Sequence, residues 1–360
     1  MTDLDEALER FALTDFEYGG GLANHGPMAA EALARLGHGS LIGAWVDVYA
    51  PRLPPLAQGQ PIPADERAAA LGRPERLPDW VATFEAELMA GNWPALLEVW
   101  VERLLPGVFA GAGHGLLRVS HAVRALEEQD SVPRRRELAL GLAYWAGRQQ
   151  PLPGRPGSAA RAGCGPRNAF DGIAVVPQSR RLPGLFCDSV RALDDFPEFG
   201  QSVDRLDVAA TEPSRLLHEV CREAAELYLA QPGARIAYGH CVTVPSALRL
   251  LAPYLGAAGM RRAIGFALQA ALALHAVSAR VSEVVSASGE TAGVTPEVEQ
   301  LAGDPAEIRY RAACSLEEHA IKFTEACLRE DAIEPAPVFA LAAADAAIHL
   351  DSGAGRGAAC

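Results

Sequence analysis

Ser315-Leu316-Glu317-Glu318-His319-Ala320-Ile321-Lys322-Phe323-Thr324-Glu325-Ala326-Cys327 has the periodicity of a helix, and stretches of the same kind fill most of the chain. Apolar positions recur three and four residues apart, the spacing that lines one helical face. Working outward, the same pattern predicts helices at 3–12, 28–36, 78–90, 93–105, 134–147, 212–229, 246–255, 260–284, 305–329 and 336–350. Another opens in Ala110-Gly111-Ala112-Gly113-His114-Gly115 and runs to about residue 128. Pro27 suits a first helical position and Gly37 the residue just past a helix end. Residues 233–244 read as either a kinked helix or an extended segment. Residues 48–77 read as loop with one short helix. Residues 151–204 are dense in Gly, Pro and Arg and weakly periodic, and a stretch this long without regular structure often covers a site. Within it, Ile173-Ala174-Val175-Val176 is the best strand candidate. The fold class is therefore all-α: a single multi-helical domain over 1–350, with an irregular, lid-like segment at 151–204 and a disordered tail at 351–360.

The totals exclude several functions. A formal net charge of −13 opposes nucleic acid and anionic membranes as partners. Seven cysteines without CxxC spacing fit reduced thiols better than a disulfide framework. The acidic start, Met1-Thr2-Asp3-Leu4-Asp5-Glu6, has no apolar leader, and no run of about 18 apolar residues reads as a membrane span. A soluble, cytoplasmic protein is expected. Gly19-Gly20-Gly21 lacks both GxGxxG spacing and a preceding strand, so a dinucleotide fold is not indicated.

Lys322 is the chain's only lysine; every other basic residue is arginine. A lysine kept in so arginine-biased a chain suggests work a guanidinium cannot do, such as losing its proton or forming a covalent adduct. His319 stands one helical turn before it on the same face. The chain has nine histidines, and each taken singly reads as a structural residue. His25 precedes a predicted helix start, and His240 follows Gly239 one turn before Thr243. His114 and His121 lie seven apart on one predicted helix, with Arg118 between them. Seven residues rise about 10.5 Å, so irregular backbone around Gly113 and Gly115 would have to aim His114 inward. Histidines on separate glycine-flanked turns suit iron, zinc, copper or nickel, although the spacing matches neither HExxH nor a C₂H₂ finger. His38, His275 and His349 have no local cue, and His218 reads as structural. A neutral Lys322 amine can add carbon dioxide, and the carbamate is an anionic oxygen donor like a carboxylate. A Schiff base and a general base are the other roles open to it.

Four motifs carry a family resemblance: Asn24-His25-Gly26-Pro27-Met28-Ala29-Ala30-Glu31-Ala32-Leu33; His114-Gly115-Leu116-Leu117-Arg118-Val119-Ser120-His121-Ala122-Val123-Arg124-Ala125-Leu126; His240-Cys241-Val242-Thr243; and Glu318-His319-Ala320-Ile321-Lys322-Phe323-Thr324-Glu325-Ala326. In order, over about residues 15–330, they resemble the questin oxidase-like family. The resemblance implies an all-α oxidoreductase that opens a ring of a fused aromatic polyketide of the anthraquinone kind, using O₂. It implies either of two mechanisms. One is a non-haem Fe(II) centre with metal ligands drawn from His25, His114, His121, His240, His319 and a carboxylated Lys322. The other is a metal-free, NADPH-dependent Baeyer–Villiger oxygenation with the same histidines as bases. Six ligands would leave no position for oxygen, so at least one histidine is expected to face substrate or support a ligand. Thr243 would hydrogen-bond a bound water or peroxide, and a substrate phenolate would either ligate iron or be oriented by Arg118. The rival from another class is a non-catalytic helical carrier of a polyketide intermediate. Residues 151–204 match the family least, so the substrate itself is not named by the motifs.

Overall fold

The computed structural model describes residues 2–280 and 294–350. The expected tail at 351–360 and residues 281–284 of the helix expected at 260–284 lie outside the described residues; that helix already ends at Ser278. Among the described residues the chain is all-α, with one small antiparallel hairpin of β1 (Glu17–Tyr18) and β2 (Leu22–Ala23). Gly19, Gly20 and Gly21 turn that hairpin, all at positive φ. No helix among the described residues is long and apolar enough to cross a membrane. No disulfide joins the six described cysteines.

Packing gathers the chain into two compact units. Of the described residues, the first comprises those within 1–151 and 247–259, and the second those within 152–246 and 260–350.

The first unit holds α1 (Asp3–Phe11), α2 (Gly26–Arg35), α3 (Ile42–Tyr49), the single turn α4 (Arg67–Ala70), α5 (Leu77–Ala90), α6 (Trp93–Leu104), α7 (His114–Glu128) and α8 (Val132–Gly147). Local chemistry sets the ends. Thr2 Oγ1 accepts from Asp5 N–H at 3.2 Å to start α1. After α2, Gly37 adopts φ +87, and His38 N–H reaches back to the Leu33 carbonyl at 2.9 Å. That closes a glycine-terminated helix at the position its sequence predicts. Trp45, Trp80, Trp145, Phe11, Phe16 and Phe84 fill the core, each worth roughly 1.5–3 kcal/mol of apolar burial or more. α7 lies close against α8 because Gly115 has no side chain; a Cβ there would sit 2.7 Å from Trp145 Cα.

The second unit begins with the 151–204 stretch, which is not wholly irregular. It carries α9 (Pro166–Gly172), α10 (Phe186–Ser189) and α11 (Pro197–Asp204), too short for periodicity to reveal. Ile173–Val176 forms no strand; Val176 N–H instead donates to the Ala276 carbonyl at 2.8 Å. Next come α12 (Pro213–Ala230), α13 (Arg235–Ala247) and α14 (Ala252–Ser278), the last interrupted where Gly256 turns to φ +57 and counted in the second unit only from Met260 on. Of the two readings open for 233–244, the helix is the one observed, and it runs on through Pro245. The helix expected at 246–255 is absent as such: α13 ends there, a tight turn follows, and α14 begins. α15 (Pro296–Ala302), α16 (Pro305–Cys314), α17 (Glu318–Ile333) and α18 (Pro337–His349) complete the unit.

The helix expected at 305–329 is two helices. Leu316 sits at φ +48, a left-handed conformation that breaks the run, and Glu317 restarts it. His319 therefore lies in the first turn of α17 rather than in a helix interior.

Candidate functional site

In the first unit α2 and α7 run side by side in the same direction. His25, at the entry to α2, meets His114, at the start of α7, with their Nε2 atoms 2.5 Å apart and the rings stacked. Further along, Glu31 of α2 meets Nδ1 of His121 at 2.7 Å. Three consecutive left-handed residues, Gly111, Ala112 and Gly113, precede α7, and this turn brings the Gly111 carbonyl 2.5 Å from His114 Nδ1. The irregular backbone thus lies before His114, and α7 is regular from there to His121. His25 is held through its backbone N–H, which donates to Tyr49 Oη at 2.9 Å. Next to it the Gly26 carbonyl accepts from Trp45 Nε1.

Glu31 is buried and also accepts from Arg35 Nε at 2.9 Å and Arg124 Nε at 2.8 Å. Burial raises its pKa, but Arg124 and His121 outweigh that and hold the carboxyl well below the ordinary range. It is an anion at neutral pH and a strong acceptor for the His121 Nδ1–H. Arg118, expected to orient a phenolate, is engaged elsewhere. Its Nε and Nη2 donate to Glu137 at 2.6 and 2.8 Å, with both side chains buried, and its guanidinium lies over Phe16. That pair ties α7 to α8.

In the second unit α13 and α17 line a cavity with His240, Thr243, His319 and Lys322 around it, and Arg235 and Phe323 beside them. Thr243 follows His240 by three residues on α13, and Lys322 follows His319 by three on α17, so each pair shares a helical face. The cavity encompasses about 280 Å³ out to its mouth, but its interior admits little more than a water-sized molecule. The His240 and His319 ring centres are 6.0 Å apart. Lys322 is only 4 % exposed, a depth at which an ammonium is costly unless compensated. Phe186, from the 151–204 stretch, sets its ring edge-on to His240 at 5.9 Å. Arg235 is neutralised by Asp345, with bonds of 2.7 and 2.9 Å. Phe323 stacks on Tyr228 at 4.4 Å, whose phenol burial pushes well above its usual pKa.

Three of the five candidate histidines thus have Nδ1 at an oxygen acceptor: His114 at Gly111 O, His121 at Glu31, and His319 at Glu317, 2.9 Å away. A neutral imidazole that donates from Nδ1 presents a lone pair at Nε2, the arrangement found when histidine binds a metal. Glu31, Gly111 and Glu317 were not singled out from sequence. Glu31 does fall in the first motif, and Glu317 was hidden inside a helix read as continuous.

Three of the other four histidines have partners nearby. His275 lies 2.9 Å from Tyr238 Oη, and burial lowers its pKa to about 4. His218 packs on Phe339 beside Glu330, and His349 stands beside Asp345. Compared with known proteins, the sequence matches no family model and no curated protein.

Proposed function

We propose that this chain is a non-haem iron oxygenase that opens a ring of a fused aromatic polyketide. The observation that supports it is the cavity where the only lysine of the chain is buried with two imidazoles and a threonine. The donor set fits iron by its chemistry. His240 and His319 offer imidazole nitrogens, and Lys322 would become an oxygen donor once carboxylated. In that step the Nζ lone pair attacks carbon dioxide, an N–C bond forms, and one nitrogen proton leaves to solvent or to a neighbouring imidazole. Within the first unit, His25 and His114 meet each other, and His114 and His121 keep Nδ1 anchors suited to a metal-binding imidazole.

Bound Fe(II) would supply the binding and activation of dioxygen. The chain's own part is to hold the imidazoles, supply the carbamate, and keep a water or oxygen molecule in hydrogen-bond reach of Thr243 Oγ1. Phe186 and Phe323 add apolar surface near the imidazoles and limit water there. A three-ring aromatic exceeds the enclosed space and would lie at the mouth.

The test is metal analysis of anaerobically purified protein with O₂ uptake on anthraquinone-type substrates. Near one equivalent of iron is expected, with activity lost on chelation and restored by Fe(II). Full activity in chelator, with less than about a tenth of an equivalent of any transition metal, would sink the reading. If that activity also needed NADPH, the metal-free oxygenation would take its place.

A further inference from the structure

We infer that Glu317 is a positioning residue that sets both the backbone and the ring tautomer of His319. Glu317 occupies the N-cap of α17. Its Oε2 accepts from the backbone N–H groups of His319 and Ala320 at 2.8 and 2.7 Å, and its Oε1 lies 2.9 Å from His319 Nδ1.

Serine, threonine, aspartate and asparagine are the usual caps, because a short side chain suffices for the amides. Glutamate is longer and carries a second oxygen that extends to the ring two residues on. One carboxylate therefore holds the peptide and the imidazole of the same residue. The residues before it hold the cap in turn. Glu317 N–H donates to Ser315 Oγ at 3.1 Å, and left-handed Leu316 turns the chain at that point.

The consequence is chemical. With Nδ1–H donating to a carboxylate, Nε2 carries the lone pair and its direction is set by the ring, which lines the Lys322 cavity. A tautomer with hydrogen on Nε2 would set two lone-pair-bearing atoms, Nδ1 and Oε1, against each other.

Two variants separate this role from capping alone. Glu317→Gln keeps an amide oxygen for the cap and turns an NH₂ toward Nδ1, which favours the Nε2–H tautomer. Glu317→Ser keeps a cap and lacks the reach to the ring. Histidine-labelled apoprotein, at a pH high enough that the ring is neutral, is read by ¹³C and ¹⁵N shifts of His319, and Co(II) affinity is measured by titration. Wild type is expected as the Nδ1–H tautomer. Both variants should lose that tautomer, keep the helical circular dichroism, and bind Co(II) about 10–100-fold more weakly. An Nε2–H His319 in wild type, or an unchanged tautomer in both variants, overturns the inference. The inference rests on the oxygenase reading only for its metal arm. If wild-type protein binds no Co(II), that reading fails while the tautomer still decides the role of Glu317.

Discussion

Lys322 and His275 show how far a single residue can be read. Lys322 was conspicuous by composition alone, and its burial adds a physical demand, since a buried ammonium needs compensation or must give up its charge. Protein held in ¹³C-enriched hydrogencarbonate is expected to show a carbamate carbon resonance that Lys322→Arg abolishes, because a guanidinium does not add carbon dioxide at neutral pH. Persistence of the resonance in the variant would place the adduct elsewhere. His275 had no sequence cue, because nothing local reports that Tyr238 will meet it. Its folded pKa of about 4 lies below the unfolded value near 6.5. Between those values the unfolded chain binds the proton and the native state does not. Stability from this group is thus fully present above about pH 6.5 and is lost as pH falls toward 4, on the order of 3 kcal/mol in all. Urea unfolding at pH 7 and at pH 4.5 should show a smaller loss in His275→Asn than in wild type; equal losses would contradict the assignment.

At the scale of elements, helices with caps and periodicity were legible and their interruptions were not. The glycine-terminated end of α2 follows from Gly37 in sequence. The break between α16 and α17 depends on Leu316 adopting a left-handed conformation that few leucines take. With the break hidden, the cap at Glu317 and its hold on His319 were hidden too. The contact of α7 with α8 is a second case. It needs Gly115 for its closeness and sets Arg118 on Glu137 in the same interface. Gly115→Ala is expected to cost about 1–3 kcal/mol by forcing the helices apart. Glu137→Ala is expected to cost about 3–5 kcal/mol by stranding a buried guanidinium. Chemical denaturation measures both, and a neutral Glu137→Ala would return Arg118 to consideration as a ligand-facing group.

For the whole molecule, the question is whether the clustered groups perform a reaction or only stabilise a carrier. His319→Ala and Lys322→Arg are expected to remove O₂-dependent turnover of anthraquinone-type substrates while leaving cooperative unfolding. Retention of function by both would favour the carrier. The all-α class, most helix positions and the candidate residues were determined by sequence, because helical periodicity, caps and residue chemistry are local properties. Which groups meet was decided only in three dimensions. His25 is 89 residues from His114 and Glu31 is 90 from His121, while His240 and His319 stand on different helices. The small interior of the Lys322 cavity and the engagement of Arg118 by Glu137 belong to the same class. Packing between distant segments sets such contacts, and a chain read in order has no term for it.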